Sequence, residues 1–378
     1  MAKSPPQLDV MVLGEHPCTY LAAILLANTA KVRVAHCCVP GSGESDRLVL
    51  INPAFFELHP LLAPLRRKLE MTGIYGVHFL GDDPAVHSEF RNKSALSHVA
   101  AYKSVRAGLI KLAQDQEVQL LTPKAVQIHR LDEQGVEMTL GKEMIHPRSL
   151  ILGTDLPVPQ RKLLGLPESW GADVVHRYTF LKLPAGKWAD PGSRPVVPMS
   201  LNLRDSLCWG WLLPGPKSIQ LAVEQPIETV GKVAPLELLN YWAGVLRSHN
   251  ILSTKGDLPI ELAESLDLPL AGALEHEGVA NRTLLIGPEG GFYSACAEDI
   301  YPNCWSALFA VDAIKKALRE PHLQDALQPY RQKWRTTLGE YLRGPQQNLR
   351  FLLPLVYRNQ RMTTRLTESI LQGKSVVR

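Results

Sequence analysis

Trp209 and Trp211 stand two apart in the apolar run Trp209-Gly210-Trp211-Leu212-Leu213-Pro214. Alternate residues of a strand share a face, so the two indoles can jointly wall an apolar pocket; the competing reading is a pair of core aromatics. His36, Cys37 and Cys38 are metal-ligand types, but three consecutive strand residues cannot all point at one ion. The six cysteines show no paired CxxC spacing, so neither a metal centre nor a disulfide framework is expected. Twelve histidines allow many Ser/His/Asp combinations, yet no GxSxG elbow supplies a frame for one. Gly14 ends one apolar run and precedes an Ala/Leu-rich one, which reads as a tight strand-to-helix turn.

The elements that must position these residues follow from the hydrophobic pattern. Residues 8–13 read as a buried strand, 20–30 as a helix and 31–35 as a second strand, the unit that builds a parallel sheet by a right-handed crossover. An amphipathic helix is expected over 54–71 and a clearer one over 100–115, with Val105, Leu109 and Leu112 on one face. Short strands follow at 119–121, 125–131, 136–140 and 149–152. From about 168 to 275 the pattern changes to strands with Pro/Gly turns. A meander is expected over 199–203, 206–213 and 218–223, turning at Gly215-Pro216, then a helix over 235–248. Residues 282–286 return to a buried strand, 302–318 form a strong helix with Pro302 at its start, and 322–378 are helical and basic.

With 45% hydrophobic and 21% charged residues in 378, the chain can bury a sizeable core, which excludes a disordered or fibrous protein. No apolar run approaches the roughly 18 residues of a spanning helix. The opening MAKSPPQL has no secretory pattern, so a cytoplasmic protein of a reducing compartment is the expectation. The net charge of +4 is unevenly spread: residues 331–378 carry ten Lys and Arg against Glu340 and Glu368, a net of +8, which leaves −4 on residues 1–330. No nucleic-acid motif accompanies that charge, and no nucleic-acid partner is expected. Residues 346–372 mix Phe351, Leu352, Leu353, Leu355, Val356 and Leu366 with Arg350, Arg358, Arg361 and Arg365, as an interfacial helix would. Two readings stay open there: helices packed on the acidic body, or peripheral contact with anionic lipid.

Three separated segments resemble one family. Gly14-Glu15-His16-Pro17-Cys18-Thr19 stands where that family has GxGxxG. Gly153-Thr154-Asp155 through Arg161 to Leu164-Gly165-Leu166-Pro167 looks like GADGxxSxVRxxLGLP. Gly287-Pro288-Glu289-Gly290-Gly291-Phe292 with Glu298-Asp299-Ile300 looks like GDAAGF…GEGI before a helix. The chain resembles, over roughly residues 8–340, the flavoprotein monooxygenase superfamily with the para-hydroxybenzoate hydroxylase fold, in particular its geranylgeranyl reductase-like and flavin-dependent halogenase-like branches.

The resemblance implies an α/β fold: a Rossmann-like FAD/NAD(P)-binding domain, an inserted mainly antiparallel β substrate domain and a C-terminal helical region. The implied boundaries are 1–167 with 276–325 for the first, 41–95 partly contributing to the substrate side, 168–275 for the second and 326–378 for the basic helices. It also implies FAD in an extended pose across Gly14, Asp155 and Gly287–Gly291, with cofactor-binding positions at Gly14, His16, Thr19, His36, Asp155, Gly287, Glu289, Gly290 and Gly291. In the family those glycines let the backbone approach a pyrophosphate held at a helix N-terminus. The implied activity is an FAD-dependent oxidoreductase, with NAD(P)H as a possible reductant, acting on an isoprenoid or aromatic substrate. Trp209 and Trp211 match the family's WxWxIP near the flavin ring.

The departures point the other way. His16 and Thr19 replace motif glycines, His36 replaces the ribose-binding acid, and Pro288 replaces the Asp that bonds the flavin's sugar-alcohol chain. A member that keeps the fold for binding or scaffolding without FAD is the alternative. A halogenase is less favoured, because Lys68 is only a loose positional match to that branch's lysine. Asp155 and Arg161 could equally be a structural ion pair.

Overall fold

The computed structural model describes all residues except 1–7, 30, 40–44, 155, 190–191, 254–257, 270–277, 344–348 and 377–378. The central strand of a six-stranded sheet is β1 (Val10–Leu13). On one side lie β2 (Val34–Cys37) and β8 (Gln119–Leu121). On the other lie β12 (Ser149–Leu152), β19 (Thr283–Leu285) and β18 (Val279–Ala280). All pair in parallel except β18, which runs against β19.

Every residue of β1 and β12 is buried, as expected of parallel strands covered on both faces. Period-2 alternation sorts them. Val10, Val12 and Ile151 pack in one core with α1 (Pro17–Ala27), α3 (Tyr102–Asp115) and α7 (Ile300–Ala317). Met11, Leu13, Leu150 and Leu152 pack in another with the antiparallel strands β9 (Val126–Asp132), β10 (Gly135–Leu140) and β11 (Glu143–Ile145). Burial at about 1.5–3 kcal/mol per large apolar side chain makes these two cores the main fixture of the sheet.

A second sheet has the order β17 (Glu264–Pro269), β13 (Val175–Pro184), β16 (Ser218–Pro226), β15 (Cys208–Pro214), β14 (Val197–Leu203), β5 (Gly76–Leu80) and β6 (His87–Arg91). It is antiparallel apart from the β14–β5 pair. One face is covered by α5 (Pro235–Ser248) through Leu238, Leu239, Trp242 and Leu246. The other meets a small sheet of β3 (Leu48–Ile51), β7 (Ser97–Ala101) and β4 (Thr72–Ile74), and the C-terminal helices α10 (Leu349–Val356) and α11 (Gln360–Gln372). The remaining helices are α2 (Leu65–Lys68), α4 (Val158–Leu163), α6 (Gly287–Gly290), α8 (Leu323–Leu327) and α9 (Pro329–Arg343). The basic C-terminal region is divided: α9 buries Tyr330, Trp334 and Leu338, α11 buries Leu366, Ile370 and Leu371, and α10 is only half covered. None of the described helices is long and apolar enough to cross a membrane.

Four expectations are corrected. The helix over 54–71 is two 3-10 turns, Pro53–Glu57 and Pro60–Leu62, followed by the single turn of α2, because Pro60 and Pro64 cannot continue a helix. The first helix starts at Pro17, with His16 as its cap, and the second strand lies at 34–37. The strand over 206–213 is shorter, because Arg204, Asp205 and Leu207 turn with positive φ before β15 begins.

Candidate functional site

The chain leaves β1 for β2 on one side and later returns to β12 on the other, so a crevice opens beyond the C-terminal ends of β1 and β12. Open parallel sheets bind ligands at such switch points. A cleft of about 700 Å³ lies there, between the sheet and β17 of the second sheet. Glu15 and His16 border it at the start of α1, with Arg47, Tyr102, Arg106 and Lys124 along one wall. Gly153 and Thr154 follow from β12, Leu266 and Leu268 from β17, and Pro288 and Tyr293 close the far side. A second cleft of about 440 Å³ shares Asp267, Pro288 and Tyr293 with the first and extends to Trp170 and Ile227.

Three glycines bring the strand ends together. Gly14 has φ +132°, and a Cβ there would stand 2.8 Å from the Gly153 carbonyl oxygen. A Cβ on Gly153 would stand 2.4 Å from the Thr19 methyl group, and one on Gly287 (φ +63°) 2.8 Å from Cys18 Sγ. The space that these glycines open is filled by the chain's own Thr19 and Cys18. Thr19 is fully buried, and its hydroxyl faces the carbonyls of Gly14 and His16 at 3.1 and 2.8 Å.

His16 closes the helix terminus. As the cap of α1 its Nδ1 accepts the Cys18 backbone N–H at 3.2 Å, and its Nε2 lies 3.2 Å from Asp299 Oδ2. The Cys18 bond assigns the proton to Nε2, which then donates to Asp299. The Arg47 guanidinium also donates to Asp299 Oδ2 and lies over the Tyr102 ring, 4.5 Å from its centre. Burial lowers the His16 pKa, outweighing the help of Asp299, so the imidazole is neutral near pH 7. Burial opposes both charges of the Asp299–Arg47 pair, but each outweighs that cost in the other: the Asp299 pKa is lowered and the Arg47 pKa raised. Arg47 Nε and Asp299 Oδ1 are buried and have no hydrogen-bond partner among the described residues, which points to water or a ligand's polar group beside them.

The other sequence candidates are placed as follows. His36 is fully buried, stacked 4.1 Å from the Tyr20 ring, with Nε2 3.0 Å from Thr19 Oγ1; burial pushes its pKa down to about 3. Glu289 accepts from Arg161 at 2.6 Å, both buried, so Arg161 pairs with Glu289; Asp155 lies outside the described residues. Gly290 makes room for the Phe292 ring, and Gly291 (φ +70°) ends α6. Trp209 and Trp211 do share a face, but that face is core. Trp211 stacks on Tyr178 at 5.5 Å, and neither indole borders these two clefts. Lys68 is exposed on α2, away from both clefts. Cys37 is buried and Cys38 half-buried, and among the described residues no group of three ligands could hold a metal ion.

Sequence reasoning missed Arg47, Tyr102, Arg106 and the role of Asp299. A signal existed for Asp299 alone: it stands at the second glycine of the GEGI-like segment, where a side chain must go somewhere.

No protein-family model matches the chain, and no curated protein sequence does. Solved structures do match. A geranylgeranyl bacteriochlorophyll reductase-like protein from Thermoplasma acidophilum superimposes with a TM-score of 0.73 at 12% identity, over 97% of this chain and 94% of that one. The flavin-dependent brominase Bmp2 gives 0.64 at 13%, over 97% and 94%. PqsL, a probable FAD-dependent monooxygenase from Pseudomonas aeruginosa, gives 0.60 at 15%, over 94% and 98%. The chain therefore shares the Rossmann-like α/β fold of these solved structures. At these identities the likeness is one of fold.

Whether FAD fits is decided at the start of α1. A diphosphate held by a helix terminus needs free N–H groups and empty space in front of them. Here the Cys18 N–H is taken by His16, and the third glycine's space holds Thr19. The cleft is large enough for an elongated ligand, but the extended FAD pose does not fit these residues at its phosphate end.

Proposed function

We propose that this chain binds an elongated small molecule in the switch-point cleft, without FAD in the extended pose of the flavoprotein fold. One observation carries this reading: the His16 imidazole, anchored by Asp299 and Arg47, occupies the helix terminus that would receive a diphosphate. The rest of the cleft suggests the ligand's character. Arg47 lines one wall and its Nε has no partner among the described residues, which suits a ligand with a hydrogen-bond-accepting end. Leu156, Leu266, Leu268 and Tyr293 supply apolar surface for the body of the molecule. These groups bind, orient and exclude water; among them we assign no proton transfer.

Native mass spectrometry of gently purified protein tests this. A bound small molecule other than FAD is expected. Ala125→Trp, an exposed cleft-lining position, should sharply lower its occupancy while leaving the melting temperature unchanged. Absence of any bound species, or occupancy indifferent to Ala125→Trp, overturns the reading.

A second reading is favoured by the size and position of the same cleft. It is a flavin-dependent oxidoreductase acting on an apolar isoprenoid or aromatic substrate, with NAD(P)H as reductant, in keeping with the flavin-dependent enzymes that share the fold. A flavin would supply the electron transfer. Arg106 and Lys124 would be the side chains available to its phosphates, although Arg106 is already held by Glu15 at 2.7 Å. Co-purification of one FAD per chain would establish this reading over the first.

A further inference from the structure

Helix α10 is fixed to the body on one side and greasy on the other. Val356 is fully buried, and Leu352 and Leu353 pack against the core beneath the seven-stranded sheet. Phe351 is 82% exposed, the most of any large apolar side chain among the described residues, and Leu355 is 44% exposed. Residues four apart share a helix face, so these two form one outward apolar patch. Arg358 and Arg361 follow directly and are exposed, within the C-terminal stretch of net charge +8. The acids Asp82 and Asp205 border a recess with Leu353, Pro354 and Tyr357, a side of the helix that Phe351 and Leu355 do not share.

An apolar patch rimmed by arginines is complementary to a surface that is greasy within and negative at its boundary. Hydrophobic insertion of two side chains is weak, and so is attraction of a few cations; together they give reversible attachment to anionic bilayers. At eight residues the helix is about 12 Å long, far too short to span. We propose that α10 seats this protein on an anionic lipid surface, Phe351 and Leu355 entering the headgroup–acyl boundary and Arg358 and Arg361 meeting lipid phosphates.

Co-sedimentation of the full chain with vesicles tests this, comparing phosphatidylcholine alone with a phosphatidylcholine–phosphatidylserine mixture at low and high salt. Binding is expected to the anionic vesicles at low salt and to fall by about tenfold or more on neutral vesicles or in high salt. The doubles Phe351→Ser/Leu355→Ser and Arg358→Glu/Arg361→Glu should each lower binding by about the same factor with melting temperatures unchanged, since all four side chains are outside the core. No binding to either vesicle, equal binding to both, or binding unchanged in the Phe351→Ser/Leu355→Ser protein overturns the proposal. So does a stable dimer in solution that this pair of substitutions dissociates, because the face would then belong to a second copy of the chain.

Discussion

His16, Asp299 and Arg47 form a buried polar cluster at the helix terminus where the fold would otherwise present free N–H groups. Asp299 is fully buried and Arg47 is 5% exposed at the side chain, so each needs the other. Removing one partner of such a pair leaves an uncompensated buried charge, which costs about 3–5 kcal/mol. Asp299→Asn should therefore lower the unfolding free energy measured by urea titration by about that much, whereas a loss of a few tenths of a kcal/mol would mean that Arg47 escapes to solvent. His36 gives a pH prediction. The unfolded imidazole takes up its proton near pH 6.5, but the folded one resists until about 3. Between those values the unfolded state binds more protons, so stability rises with pH and is lost as acid is added, by at most about 1.4 kcal/mol per pH unit for one group. His36→Gln should remove about one proton's worth of that slope in unfolding titrations between roughly pH 3.5 and 6.5; an unchanged slope would contradict the burial argument. The positions of His16, Thr19 and His36 were legible in the sequence, because each stands where a motif residue should be. Their partners were not: Asp299 is separated from His16 by 283 residues, and no local pattern announces a contact at that distance.

Among the elements, those with a strong period came through and those decided by neighbours did not. Strands at 119–121 and 149–152 match β8 and β12 because continuous apolar runs between turn residues leave few alternatives. The apolar spacing over 54–71 does not become one helix because Pro60 and Pro64 interrupt it. Trp209 and Trp211 lie on one face of β15 as alternation requires, but alternation cannot say whether a face meets a cleft or another layer of the core; here β3 lies against β15 and both indoles belong to that core. Gly14 makes a prediction at this scale, since it fixes the approach of β1 to β12. Its φ of +132° and the backbone oxygen 2.8 Å from a would-be Cβ leave no flexible neighbour to yield. Gly14→Ala should destabilise by about 2–4 kcal/mol, readable as a fall in thermal midpoint. A loss within about 0.5 kcal/mol would mean that the two strand ends can separate freely.

At the scale of the molecule, fold and charge distribution were legible and the ligand was not. Strand-helix-strand units, the change to antiparallel strands and the helical tail together imply the layered architecture. The fold hosts several chemistries and cannot choose between them. What the structure adds is a division of the cleft: an open body of about 700 Å³ and a helix terminus closed by the chain itself. Titration of gently purified protein with FAD, followed by visible absorption and by melting temperature, tests that division most directly, with His16→Gly/Thr19→Gly alongside. A colourless wild-type protein whose melting temperature FAD does not move is expected, with a double variant in which a measurable FAD-dependent shift appears. A yellow wild-type protein holding one FAD per chain would contradict it.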